Sequence, residues 1–219
     1  MSFADLPPGE HAERFHDHWW WRPGWRVGRE FFAWHITFDG AGELHRLVAA
    51  YQQALKAHGL GGMRFIPSQW LHLTMQGIGF VDEVRADDLE RILESARRVL
   101  SESEPLTLTF RHAFVADEAI VLPPLEEASV IELRRRLRQA IGSVWGSDNV
   151  PEAEDKFRPH ASVAYFEEDG TAAPYVAAVE SISPQPARLT IKEASLIALN
   201  RDHRMYEWRT CATAPLSEA

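Results

Sequence analysis

Two strings in the chain place reactive side chains at strand spacing: Leu71-His72-Leu73-Thr74 and Pro159-His160-Ala161-Ser162. In each, a histidine stands two positions before a hydroxyl residue inside an apolar run. Side chains alternate across a β-strand, so i and i+2 share a face. Each string therefore presents an imidazole beside a hydroxyl. An imidazole gives or takes a proton near neutral pH. A hydroxyl can donate a hydrogen bond to an oxygen on which charge develops. Two such pairs facing one cleft would attack a phosphate ester without a metal, so neither a metal site nor a cofactor is expected.

A third copy of the spacing, His35 with Thr37, lies on an earlier apolar run. What separates it from the other two is position in a repeated pattern. Phe31–Phe38 is aromatic and β-branched and predicts a strand. Leu44, Leu47, Val48, Tyr51 and Leu55 then recur at helical spacing, ended by Gly59 or Gly61-Gly62. Met63–Ile66 and Trp70–Phe80 read as strands, and a helix is expected over 86–100. The order then recurs, with strands over 106–115 and 119–122, a helix over 125–145, a polar loop over 146–155 and a strand over 161–166. A short helix near 175–179 and closing strands over 188–199 and 205–213, joined through Asn200-Arg201-Asp202, complete the chain.

The second strand of each half carries His72 or His160, whereas His35 lies on the opening strand of the first half. His35 and Thr37 are accordingly read as sheet residues beside the groove. The fold class expected is α+β, pseudo-symmetric and two-lobed, with antiparallel sheets lining a central groove and helices packed outside. The lobes are expected over approximately 31–104 and 105–213 of a domain spanning 31–219. Residues 1–30, with His16, His18 and Trp19-Trp20-Trp21, show no helix or strand period and read as an irregular arm. His16 and His18 are read as packing or solvated residues rather than metal ligands. Arg134-Arg135-Arg136 and Arg138 are read as a solvated helix face.

The single cysteine, Cys211, excludes an intramolecular disulfide and a thiolate zinc cluster. No apolar run is long enough to span a bilayer, and no secretory pattern opens the chain. A cytoplasmic monomer is expected. The formal net charge of −9 opposes a long nucleic-acid footprint, which depends on phosphate neutralisation by basic residues. A small phosphorylated nucleotide or a short RNA fits this charge better.

The strings Trp70-Leu71-His72-Leu73-Thr74-Met75 and Phe157-Arg158-Pro159-His160-Ala161-Ser162-Val163, with the aromatic first strand and the Gly77-Ile78-Gly79-Phe80 exit, are specific. Over roughly 31–213 the chain resembles the 2H phosphoesterase superfamily, which contains bacterial 2′-5′ RNA ligase-like proteins and cyclic phosphodiesterases. The resemblance implies His72, His160, Thr74 and Ser162 as catalytic residues, acting without metal on 2′,3′-cyclic phosphates or 2′-5′ phosphodiesters. The ligase-like branch often carries a basic residue two positions after each hydroxyl. Here those positions are Gln76 and Ala164, the latter followed by Tyr165.

Gln76, Tyr165 and Arg158 are the candidate substrate contacts, with Tyr165 stacking on a base and Arg158 meeting phosphate. Three functions compete. The first is a metal-independent cyclic phosphodiesterase, the second a reversible 2′-5′ RNA ligase, and the third a nucleotide- or RNA-binding module without turnover. The acidic charge favours the first over the second, and the intact histidine and hydroxyl pairs disfavour the third.

Overall fold

A computed structural model describes residue 7 and residues 9–217; the expected arm thus begins partly outside the described residues. The structure opens with a short β1 (Arg14–Phe15), followed by β2 (Phe31–Thr37), α1 (Gly42–Ala57), β3 (Met63–Phe65), β4 (His72–Phe80) and α2 (Ala86–Leu100). There follow β5 (Leu106–Phe110), β6 (Phe114–Val115), β7 (Ala119–Leu122), α3 (Glu127–Trp145) and β8 (Ala161–Phe166). The chain ends with β9 (Gly170–Thr171), α4 (Ala173–Glu180), β10 (Ala187–Ile191), β11 (Glu193–Asn200) and β12 (Glu207–Pro215). The architecture is α+β with antiparallel sheets, as the residue pattern implies.

The principal sheet has eight strands in the order β12-β11-β2-β4-β8-β7-β6, with β3 added beside β8. The two motif strands are neighbours in it, joined only through the antiparallel pair Leu73–Ala161. Past that pair, the same edge of β8 is taken by β3, from Ala164–Phe65 to Phe166–Met63. The closing strands β11 and β12 extend the sheet beside β2.

The apolar stripe of α1 buries Leu44, Leu47, Val48, Tyr51 and Leu55. Full burial of such a side chain is worth about 1.5–3 kcal/mol. Helix α1 packs against α4, β10 and β8, while α2 and α3 pack together, α2 also touching β12 and α3 touching β4.

Several expectations are corrected. The strand expected over 188–199 is broken at Lys192 into β10, which pairs with β5, and β11, which pairs with β2 and β12. The strand expected over 106–115 is likewise interrupted, and only Phe114–Val115 meets β7. Ser68–Trp70 forms a 3-10 turn, so β4 begins at His72. The arm is less irregular than its composition implies: β1 pairs with β9, and the Phe15 ring stacks on Phe166 at 3.7 Å. A Cβ at Gly170 would meet the Phe15 ring, so this close approach requires glycine.

The arginine stretch of α3 is the largest departure. Arg134 is buried, at 3% exposure. Its Nε donates to the Met75 carbonyl at 2.8 Å and its Nη2 to the Ala153 carbonyl at 3.3 Å. Arg138 Nη1 donates to Gln76 Oε1 and to the Pro151 and Glu152 carbonyls at 2.7–2.9 Å. Met75 sits where the β2–β4 register shifts, between the pairs Trp34–Gln76 and His35–Thr74. Such a bulge leaves ladder groups without strand partners, and the guanidinium supplies one for Met75. Arg135 is exposed and paired with Glu132.

Replacing Arg134 by alanine would strand the buried Met75 carbonyl, costing about 1–3 kcal/mol, and would leave the space of a buried side chain unfilled. Arg134→Ala is therefore expected to lower unfolding free energy by roughly 2–4 kcal/mol in urea denaturation. Arg135→Ala is expected to change it by less than about 0.5 kcal/mol. Equal effects at the two positions would refute the assigned role of Arg134.

Candidate active site

Leu73 and Ala161 are both fully buried on the core face. Alternation then turns their neighbours His72, Thr74, His160 and Ser162 to the opposite face, where all four line one cavity of about 630 Å³. The antiparallel order sets His72 toward Ser162 and Thr74 toward His160. The two imidazole–hydroxyl pairs thus face one another about the Leu73–Ala161 pair.

The two rings are held identically. His72 Nδ1 donates to the Trp70 carbonyl and His160 Nδ1 to the Arg158 carbonyl, each at 2.9 Å. A carbonyl only accepts, so both Nδ1 atoms carry a proton and both Nε2 atoms hold the lone pair of the neutral ring. Both rings are pushed toward that neutral form. Burial lowers His72 to about 4, against partial relief from the Trp70 carbonyl, and His160 and His18 add repulsion. His160 is lowered by burial too, with Arg158 contributing repulsion.

His35, set aside by the sequence pattern, proves to be a direct neighbour. Its ring lies parallel to that of His72, with centroids 4.4 Å apart and 2° between planes. Its Nε2 stands 3.4 Å from Thr74 Oγ1. Burial, with repulsion from His72, holds His35 well below its ordinary range. Trp208 packs edge-on against both rings.

The three expected substrate contacts fare differently from the motif residues. Gln76 lies on the wrong face. The bulge at Met75 breaks the period of two and pairs Gln76 with the core residue Trp34. Gln76 is fully buried, and its amide Nε2 donates to the Gly77 and Pro151 carbonyls. Tyr165 lines the cavity but has no open face for a base, because His18 stacks on it at 4.3 Å and Trp19 and Tyr206 close its edges. Burial raises its phenol, which shares a hydrogen bond with Ser162. Arg158 is half-buried; its carbonyl orients His160 and its charge opposes protonation of that ring.

The cavity also contains residues that sequence reasoning does not place there. His18 and Arg22 come from the arm, Glu118 from the β6–β7 turn, and Arg201 and Tyr206 from the β11–β12 connection. Burial alone would raise Glu118, but His18, Arg22 and Trp20 more than offset it and hold the carboxyl at about 2. His18 Nε2 bonds the Tyr206 hydroxyl at 2.9 Å, and burial lowers this ring to about 4. No spacing rule links positions 18, 118 and 201. The aromatic density of the arm is the one available signal. Among the described residues, no group of three or more His, Cys, Asp or Glu is arranged to hold a metal.

A sequence profile of the 2′-5′ RNA ligase superfamily matches residues 43–203. The chain belongs to that superfamily. Solved structures agree in fold. A structure described as a phosphoesterase superposes with a TM-score of 0.61 at 16% identity, covering 87% of this chain and 99% of the other. TT0787 of Thermus thermophilus gives 0.60 at 16% identity, over 87% and 100%. LigT of E. coli complexed with ATP gives 0.57 at 16% identity, over 87% and 99%. No curated protein matches in sequence. Among the described residues, no helix is long and apolar enough to cross a membrane.

The depressed groups give the superfamily member a defined acid sensitivity. His72 and His18 titrate at about 4 in the folded protein against an ordinary 6.5, and Glu118 at about 2 against 4.5. The unfolded chain takes up these protons first as pH falls, so the stability contribution is complete above about 6.5 and declines below it. Urea unfolding is expected to lose on the order of a few kcal/mol between about pH 7 and pH 4. A stability that is flat or rises across that window would contradict the buried neutral rings.

Proposed function

We propose that the protein is a metal-independent phosphodiesterase that opens 2′,3′-cyclic phosphates of nucleotides or short RNA ends. The observation that carries this reading is the matched pair of rings, each with Nδ1–H on a backbone carbonyl and the lone pair on Nε2. One Nε2 takes a proton from water, whose oxygen bonds to phosphorus. The bond from phosphorus to one ribose oxygen breaks, and that oxygen takes the proton carried on the other Nε2. Water is consumed, a phosphomonoester and a free hydroxyl form, and the rings exchange protonation states.

Thr74 and Ser162 donate to the non-bridging oxygens as charge builds. A phosphodiester anion between the rings favours the imidazolium form and offsets the burial that disfavours it. Membership of the superfamily supports chemistry at a phosphoester, and the crystals of E. coli LigT with ATP, 3′-AMP and phosphate support a phosphorylated nucleotide as ligand.

Hydrolysis of a 2′,3′-cyclic mononucleotide in EDTA tests the reading. Full activity is expected, with losses of roughly 10²–10⁴-fold in His72→Ala and His160→Ala. Abolition by EDTA, or a variant that keeps more than about a tenth of the rate, would overturn it.

The lowered pKa values also fix where the profile lies. Log kcat/KM against pH reports the free enzyme's acid and base, and both rings are depressed below 6.5. A bell centred on the acid side of 6.5 is expected, and an optimum at about pH 8 would contradict the assignment.

A further inference from the structure

The arm lies outside the stretch that matches the superfamily, residues 43–203, yet it is tied to both rims of the cavity. On one rim, Glu118 accepts from Arg22 Nη2 at 2.6 Å and from Trp20 Nε1 at 3.1 Å. His18 Nδ1 stands 3.1 Å from the same carboxylate. On the other rim, Arg201 donates to the His18 carbonyl at 2.9 Å, Tyr206 bonds His18 Nε2, and Asp202 accepts from the Gly28 amide at 3.0 Å. The two anchoring connections belong to β6–β7 and β11–β12. Between β7 and β11 the sheet holds β8, β4 and β2, which carry the four motif side chains and His35. The arm is therefore a strap across the motif face, and between its anchors it presents His18, Arg22 and Trp25 to the cavity.

The strap is firmly seated. Arg201 is 4% exposed, and its guanidinium lies 5.3–5.7 Å from the Trp19, Trp25 and Tyr206 rings. Cation–π contacts strengthen as water is excluded. Gly24, at φ +83°, makes the turn where a Cβ would meet the Phe80 ring at 2.6 Å. Arg29 fixes the same turn by donating to the Gly24 carbonyl at 2.6 Å and pairing with Asp82.

We propose that this strap makes the groove a blind pocket, specific for a terminal phosphate on a nucleotide or an RNA end and closed to an RNA chain running through it. The inference rests on the phosphodiesterase reading and narrows its substrate. An internal phosphate reaches the two rings only if the chain has a way out on both sides of it, and the strap occupies one of them. The cavity of about 630 Å³ lies within the range of roughly 300–1,000 Å³ found for small-molecule sites. The net charge of −9 adds no electrostatic track for a longer strand.

Binding, rather than turnover, separates this inference from the reading beneath it. The affinity of an oligoribonucleotide ending in a 3′-phosphate is compared, by fluorescence anisotropy, with that of a circular oligoribonucleotide of the same length, whose phosphates are all internal. The circle is expected to bind roughly 50-fold more weakly or worse. In Glu118→Ala/Asp202→Ala, which removes an anchor from each rim, that ratio is expected to fall at least about fivefold. Binding of the circle within about threefold of the ended oligomer, no binding of the ended oligomer, or an unchanged ratio in the variant each overturns the inference. Failure of cyclic-nucleotide hydrolysis, with the binding ratio intact, sinks the phosphodiesterase reading instead.

Discussion

The contact on which the rest depends is the single pairing of Leu73 with Ala161. It places two strands, distant in sequence, side by side in one sheet and fixes their register. Because both side chains are buried in the core, the residues before and after each have no choice but the opposite face. A slip of one residue in either strand would turn an imidazole into the core and an aliphatic side chain into the cavity. The pairing does not continue, since β8 begins at Ala161 and β3 takes the rest of the same edge. The Met75 bulge, held by Arg134, turns Gln76 into the core just beyond Thr74, and β4 meets the cavity again at Gly77.

Burial then sets the protonation of the site. His72 meets a second ring, His35, and the edge of Trp208, and this burial disfavours imidazolium in the groove. Neutral rings pinned through Nδ1 keep their lone pairs on Nε2. An anionic phosphate diester is the kind of ligand that reverses the preference and loads one proton into the site. The cations of the cavity, Arg22 and Arg201, come from the arm and from the β11–β12 connection, elements remote from the motif strings.

The sequence pattern reaches the motif strands, the two imidazole–hydroxyl pairs and the helix faces because these depend on periods of two and 3.6 residues. It fails where a local irregularity breaks the period. Extending alternation from Thr74 to Gln76 predicts a groove residue, but the bulge sends Gln76 into the core. Hydrophobic periodicity also cannot tell a solvated arginine from one that closes a bulge, and so it misreads Arg134 and Arg138. Tyr165 does reach the groove, but its open face is taken by His18, a contact across 147 positions (165 minus 18) that no local pattern encodes. The break at Lys192 separates two strands by partner rather than by composition.

The central claim is that His72 and His160 act as one site, each with Nδ1 protonated and Nε2 as the atom that meets phosphate. The measurement that tests it most directly is a ¹H–¹⁵N spectrum of the histidine rings at neutral pH, titrated with a nucleoside 3′-monophosphate. Both rings are expected as the Nδ1–H tautomer in the free protein, with a joint shift of both Nε2 resonances along one saturation curve. An Nε2–H tautomer at either ring, or a response confined to one histidine, would contradict the claim.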